Sequence, residues 1–547
     1  MYTPLRLWLL LATIESVALC APSPQQEPSP LDLPPSKPYQ SVLPSLKSHP
    51  PKVSNGTSSG HSAPAAPPKS SSVSSAKTSP TGSSAAIPYR NTTSTGIISS
   101  ATASPKASMA PPFKVPDNFP GNDEWYRPPA GFGKEKTGAL LKYRKTPKAI
   151  SLDNKSALKM KEAWQLMYRT QNTVGEPESS VVTVLVPYNA TRSNVFAYHW
   201  FSDSTYQDCS PSLGMQVGTR TDNTYTQKQT GILVSALAQG WHVVVPDDGG
   251  PHAIFGNSKY LGYSILDSLK VVVNSTEIVG LDPDPIVTTY GYSGGAMSGT
   301  FAMEMQPTYA PDLKIAGAAL GGLLPNMTFV MTHMHYVANR SAYGPPLIAG
   351  FAKEYANLTN WLDENLAPEH AEEFRKVYTQ CYDANWDLFS KRPTTEYLKR
   401  GIDSLEDAIP VSVFNNSGNL GQNGSPKVPL YIYETVGDDA SPVNFTDAII
   451  TKYCKEGANI EYERNPIRIT HSEEMVAGLP GAMRWLQDRH EGKDIVTGCR
   501  NSTETTFSKD AKKQGHLVTG ILGTLFAYFG FTIGPDYWIA PFTMFWP

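Results

Sequence analysis

Two spacings of apolar positions alternate through the larger part of this chain, and together they predict its layers. Residues 163–170 and 180–187 carry β-branched and aromatic side chains in short runs, with the turn-forming Asn172-Thr173-Val174-Gly175 between them, and predict a β-hairpin. Another such run, Val195-Phe196-Ala197-Tyr198-His199-Trp200-Phe201, predicts a further strand. Residues 230–239 have helical spacing and stop at Gly240, a residue suited to the left-handed turn that ends a helix. A buried strand over 241–246 follows, with the charged loop Asp247-Asp248-Gly249-Gly250 at its C-terminal end. The runs 285–290, 296–304 and 315–320 then read as strand, helix and strand. This rhythm predicts an α/β architecture, a mostly parallel sheet covered by helices on both faces. Between 324 and 426 the rhythm is interrupted by a helix-like, amphipathic stretch, including 345–362 and 369–378, too long for a plain loop and predicted to be a helical cap. Its apolar positions Met331, Met334, Tyr336 and Phe351 are expected to border an apolar site. Strand spacing resumes at 428–433.

The N-terminal fifth of the chain has no such pattern. Arg6 followed by an apolar run and by Ala18-Leu19-Cys20 predicts a signal peptide over residues 1–20. Residues 21–112 are dominated by Pro, Ser, Thr, Ala and Lys, too poor in apolar surface to offset the entropy of ordering, and are expected to be a disordered, O-glycosylated stalk. Residues 113–547 are then expected to be the folded domain. About a dozen Asn-x-Ser/Thr sequons, among them Asn55, Asn154, Asn189 and Asn444, fit a secreted protein. The formal net charge of −3 argues against nucleic acid as a partner. Four cysteines remain once Cys20 is removed, namely Cys209, Cys381, Cys454 and Cys499, an even number that suggests two disulfides in an oxidising compartment. Neither Cys-x-x-Cys nor His-x-x-x-His occurs, so no metal site is expected.

Candidate chemistry centres on Gly291-Tyr292-Ser293-Gly294-Gly295. Gly-x-Ser-x-Gly between a strand and a helix is the nucleophile elbow of α/β hydrolases. Its glycines permit a turn too tight for side chains, and the helix N-terminus behind it favours a developing oxyanion. A serine nucleophile needs a base and an orienting carboxylate, in the chain order Ser, Asp or Glu, His. Asp438, in the loop after the strand 428–433, fits the acid, whereas Asp439 reads as a turn or capping residue. His471 follows the strand-like Ile467-Arg468-Ile469-Thr470 and opens a helix, which fits the base. His490, within Gln487-Asp488-Arg489-His490-Glu491, reads as part of a solvated face.

Residues 123–498 resemble the fungal secretory lipases of the lipase A type. The resemblance rests on Tyr126-Arg127-Pro128-Pro129-Ala130-Gly131-Phe132, on Val245-Pro246-Asp247-Asp248-Gly249-Gly250-Pro251, on the elbow, on Gly437-Asp438-Asp439-Ala440-Ser441-Pro442, and on the histidine after Asn465-Pro466-Ile467. It implies an α/β-hydrolase fold with an inserted cap, and a serine ester hydrolase acting on triacylglycerols or other carboxylic esters at a lipid–water interface without a cofactor. Phe201-Ser202-Asp203-Ser204-Thr205 resembles the family's oxyanion loop, so the amides of Asp203 and Gly294 inherit that role. The family's disulfides imply Cys209 with Cys381 and Cys454 with Cys499. Asp439 in place of the usual glutamate, and Asp248 where an aromatic residue is common, leave substrate preference open. So does the triad itself, which also suits a serine peptidase or acyltransferase; a stalked surface protein without catalysis is the remaining alternative. In the tail, 515–547, the apolar run 517–533 is expected to form a helix laid on the domain through the ridge Leu517, Ile521, Leu525 and Phe529, with a membrane anchor as the alternative.

Overall fold

In the computed structural model, the described residues are 119–333, 340–503, 520, 524, 527 and 531–535. The expected signal peptide and stalk, and most of the C-terminal tail, lie outside them. Ten strands form one sheet: β1 Leu140–Lys145, β2 Glu162–Gln171, β3 Pro177–Val186, β4 Asn194–His199, β5 His242–Pro246, β6 Ile286–Tyr292, β7 Ile315–Gly321, β8 Leu430–Thr435, β9 Ile460–Asn465 and β10 Cys499–Ser502. Their order is β1-β2-β3-β5-β4-β6-β7-β8-β9-β10. β1, β2, β3 and β5 pair antiparallel, and every pair from β5 to β10 is parallel. The parallel strands are covered on both faces, which is why β5 and β8 are buried along their whole length and read as continuous apolar runs.

Among the described residues, the helices of eight or more residues are α1 Thr230–Ala238, α2 Ser258–Val273, α3 Gly294–Tyr309, α4 Gly344–Glu354, α5 Ala356–Asn365, α6 Tyr382–Phe389, α7 Ala408–Ser417, α8 Val443–Lys455 and α9 His471–His490. α2, started by the Asn257 side chain accepting from the Tyr260 amide, buries Leu261, Ile265, Leu266 and Leu269 beside α3 in the larger core. α1 ends as expected, with Gly240 at φ +82°.

The insert between β7 and β8 contains α4 to α7. The expected helix over 345–362 is two helices, because Tyr355 is extended (φ −123°, ψ 99°) and breaks the run. Met331 and Phe351 are buried in the main core, Phe351 against Phe414 with ring centroids 5.2 Å apart, so neither borders an open site. Met334 and Tyr336 lie outside the described residues. The insert is tied to the rest of the molecule by the Cys209–Cys381 disulfide and by Asp383, whose carboxylate accepts from the Thr224 and Tyr225 amides at 2.8 and 3.2 Å. Cys454–Cys499 joins α8 to the edge strand β10.

Of the apolar tail, Gly520, Thr524 and Ala527 are helical, and a Cβ on Gly520 would lie 2.8 Å from Ser235 Oγ of α1. Thr524 Oγ1 donates to the Gly231 carbonyl at 3.4 Å, and Ala527 is buried in the second core cluster. The small-residue face therefore makes the described contacts; the expected ridge of Leu517, Ile521, Leu525 and Phe529 lies outside the described residues. Further on, the Tyr188 amide donates to Ile533 and the Ile533 amide to Lys159, both at 2.9 Å. Among the described residues no helix is long and apolar enough to cross a membrane.

Candidate active site

β6 runs straight into α3, and Ser293 is the single residue that turns the chain between them. Its backbone is held at φ 54°, ψ −121°, a conformation costly for a residue with a Cβ. The turn is fixed by the Ser293 amide donating to the Gly321 carbonyl at 3.0 Å and by the Met297 amide donating to the Ser293 carbonyl at 2.9 Å. Although Ser293 stands at the N-cap of α3, its hydroxyl caps no amide of the helix and is free for chemistry.

That hydroxyl meets His471 Nε2 at 2.8 Å, and His471 Nδ1 meets Asp438 Oδ2 at 2.6 Å. His471 and Asp438 are buried. His471 is the first residue of α9, whose N-terminus is set by a capping box between Thr470 and Glu473. The segment before it is a loop: the strand is β9, ending at Asn465, because Pro466 cannot donate to a ladder. Tyr292 donates its hydroxyl to the His471 carbonyl at 2.5 Å and packs its ring 5.1 Å from the imidazole. Gly322, at φ +59°, lies close enough that a Cβ there would come within 2.8 Å of the His471 ring.

Asp438 Oδ1 accepts from the Ala440 and Ser441 amides, both at 2.8 Å, leaving Oδ2 for the imidazole. Burial works to raise its pKa, but His471 and these donors outweigh it and hold the group below the usual carboxylate range. Beneath it Glu434 is fully buried and accepts from the Leu323 amide at 2.9 Å. Burial and the adjacent Asp438 push the Glu434 pKa well up.

Asp203 and Gly294 are neighbours, a Cβ on Gly294 lying 3.2 Å from Asp203 Oδ1. Asp203 has φ +44°, and burial raises its pKa to about 7. The cleft beside them is lined by Trp200, Phe201, Ser202, Ser204, Asp247 and Asp248, among others. Burial likewise raises Asp247 and Asp248 to about 7.

Two residues of the site, Arg340 and Lys353, have no local mark in the sequence. Arg340 of the cap, on the short turn Arg340–Tyr343, binds Asp439 Oδ2 through Nε at 3.0 Å and Nη2 at 2.7 Å. Asp439 Oδ1 accepts from the His471 amide at 2.9 Å, so its capping role is joined to an ion pair. Lys353, on α4, is buried and donates to the Thr205 and His252 carbonyls, the latter at 2.6 Å, with burial lowering its pKa to about 7. His490 is a correction. Rather than facing solvent, it bonds Thr288 Oγ1 at 3.0 Å and packs 4.4 Å from Trp241, with burial pushing its pKa down to about 3.

A hydroxyl lined up with an imidazole and a carboxylate in this way can lose its proton as it attacks an electrophilic carbonyl. Residues 215–498 match the family model described as secretory lipase. The chain belongs to the secretory lipase family. It is a lipase or carboxylesterase, and the ten-stranded sheet with its elbow is the α/β-hydrolase fold. Among relatives of the family it is 32% identical to lipase A of Arthroderma benhamiae over 70% of this chain and 82% of the relative. It is 31% identical to lipase 2 of Candida albicans over 76% and 90%. The structure of Candida antarctica lipase A in its closed state superposes with a TM-score of 0.65 and 23% identity, covering 74% of this chain and 95% of that one, which speaks to the fold.

Proposed function

We propose that this member of the secretory lipase family cleaves carboxylic esters, triacylglycerols among them, through an acyl-enzyme on Ser293. The observation that carries the reading is the unbroken hydrogen-bonded line from Ser293 through His471 to Asp438 at the end of a strained elbow. His471 takes the serine proton as the hydroxyl attacks, then returns it to the leaving alcohol; water completes hydrolysis by the reverse path. Asp438 keeps the imidazole in the tautomer with Nδ1 protonated and supports the cation that forms. The amides of Asp203 and Gly294 receive the oxyanion, each contributing ~3 kcal/mol if they act like oxyanion donors elsewhere. Secretion to the extracellular medium, after loss of residues 1–20, and a stalk over 21–112 complete the reading.

Polar groups in the cleft lining favour a second substrate class. Ser202 and Asp248 in the cleft lining suit short or polar esters better than a long alkyl chain, whereas the Asp247 carboxylate is taken up by Ser212 and the Ser204 hydroxyl by the Gln380 carbonyl.

The test is hydrolysis of a chain-length series of p-nitrophenyl esters and of a triglyceride emulsion by purified wild type, Ser293→Ala and His471→Ala. Loss of nearly all activity in both folded variants is the expected result. Retention within tenfold of wild type would overturn the assignment, and activity restricted to short soluble esters would select the second class.

A further inference from the structure

The cap insert is bound to the catalytic loops by a charged contact whose geometry exceeds what a simple fastening requires. Asp439 stands one residue beyond Asp438 in the acid loop, and its two oxygens face in different directions. Oδ1 accepts the backbone amide of His471 at 2.9 Å; Oδ2 receives the Arg340 guanidinium through two nitrogens at 3.0 and 2.7 Å. The Arg340 side chain is 9% exposed and Asp439 33%, so the pair is partly withdrawn from water and its charges are incompletely screened. The backbone atom that Asp439 grips belongs to the same residue whose imidazole must lie between Ser293 and Asp438.

We infer that Arg340 is a positioning residue of this hydrolase, supplied by the cap and acting through Asp439 to fix and electrostatically balance His471. The inference rests on the triad reading above and extends it. With Arg340 in place, Asp439 is neutralised toward the imidazole and its second oxygen is pinned, so the first turn of α9 has one register. A cap that lifted away from this contact would take part of the base's support with it. In its docked position the cap therefore supports the base during turnover.

The charges around His471 define the test. Asp438 faces Nδ1, with Glu434, its pKa raised by burial, behind it and Glu474 of α9 nearby; Asp203 approaches from the oxyanion loop, and Arg340 from the cap. Tyr292 contacts His471 from β6, and Tyr225 and Tyr343 lie near Arg340 and Asp203. Glu473 is engaged in the capping box. Arg340→Gln leaves the Asp439 carboxylate uncompensated beside His471, which favours the imidazolium, so the acidic limb of kcat/KM moves to higher pH. Asp439→Asn leaves the Arg340 cation uncompensated, which disfavours the imidazolium, so the limb moves to lower pH.

The experiment is the pH profile of kcat and KM on p-nitrophenyl butyrate for full-length wild type, Arg340→Gln, Asp439→Asn, the double variant and Arg340→Lys, with thermal melts of each. Arg375→Gln, which removes an exposed ion pair elsewhere in the cap, serves as the control. Expected are limb shifts of opposite sign in the two single variants, return towards wild type in the double variant, and a kcat loss of about tenfold or more in Arg340→Gln with little change in KM. Partial recovery in Arg340→Lys is expected, because a lysine keeps the charge and loses the fork. Limb shifts of the same sign, or an unshifted profile with wild-type kcat, overturn the inference. Should Arg340→Gln fail to fold, Asp439→Asn alone decides by the direction of its limb. Ser293→Ala separates the two levels: activity surviving there ends the triad reading, whereas a dead Ser293→Ala beside unshifted limbs ends only this inference.

Discussion

Gly295→Ala is the sharpest probe of how the elbow is built. A Cβ on this glycine would lie 2.0 Å from the carbonyl oxygen of His199 and 3.0 Å from its carbonyl carbon. Both are backbone atoms of β4, the strand hydrogen-bonded beside β6, so no side chain can rotate to relieve the clash. To reach an ordinary 3.4 Å contact, the first turn of α3 and the end of β4 must separate by about 1.4 Å. Overpacking of this kind costs ~1–3 kcal/mol of stability. Because Ser293 opens α3, the same movement displaces its hydroxyl from His471, and an error of ~1 Å at a reacting group costs on the order of 100-fold in rate. Gly294→Ala is the comparison. Its Cβ meets the Asp203 carboxylate at 3.2 Å, the Phe201 Cβ at 3.5 Å and the Phe255 ring at 3.7 Å, with no backbone atom among them, so its loss should be less than ~10-fold. The assay is kcat/KM on p-nitrophenyl butyrate with a parallel thermal melt. A Gly295→Ala enzyme within threefold of wild type, or one less impaired than Gly294→Ala, would refute the steric argument.

Two further outcomes follow from burial and connectivity. Asp248 has its pKa raised by burial to about 7 from 3.8, so its contribution to stability is fully present below pH 4 and lost as pH rises through about 7. Asp248→Asn should therefore gain stability over wild type at pH 8, by at most ~4 kcal/mol, and gain nothing at pH 4; melts at the two pH values check this, and a gain confined to acid would refute it. Removing the Cys209–Cys381 bridge, whose partners are 172 residues apart, should cost ~5 kcal/mol by loop-closure entropy, against ~4 kcal/mol for Cys454–Cys499 at a separation of 45. Denaturation midpoints of the paired Cys→Ser variants should follow that order, and the reverse order would mean that chain closure does not set the stabilisation.

The strands that hold the site were legible because parallel strands buried on both faces carry unbroken apolar runs, as Val243, Val244 and Val245 do in β5. Ser293, Asp438 and His471 stood out because each sits at a junction of elements that local spacing marks. α2 was passed over: Gly262 and the closing run Val271-Val272-Val273 weaken a helical pattern, although burial beside α3 overrides both. His490 was misread because its neighbours Asp488, Arg489 and Glu491 are charged, while the helix turns the imidazole toward Trp241. Arg340 and Lys353 could not have been found from spacing. Their partners lie 99 and 148 residues away, and only the folding of the cap onto the oxyanion and acid loops brings them together.

The bridge between Cys209 and Cys381 also orders events on the ribosome. At about 5–20 residues per second, Cys209 emerges some 10–30 s before its partner. Throughout that interval it is a thiol with no native mate. Cys454 and Cys499 come about 70 residues or more after Cys381, which gives the first bridge several seconds to close before either rival thiol exists. The correct pairing is thus favoured by the sequence of emergence itself, and slowing oxidation until synthesis ends would expose all four cysteines to one another at once.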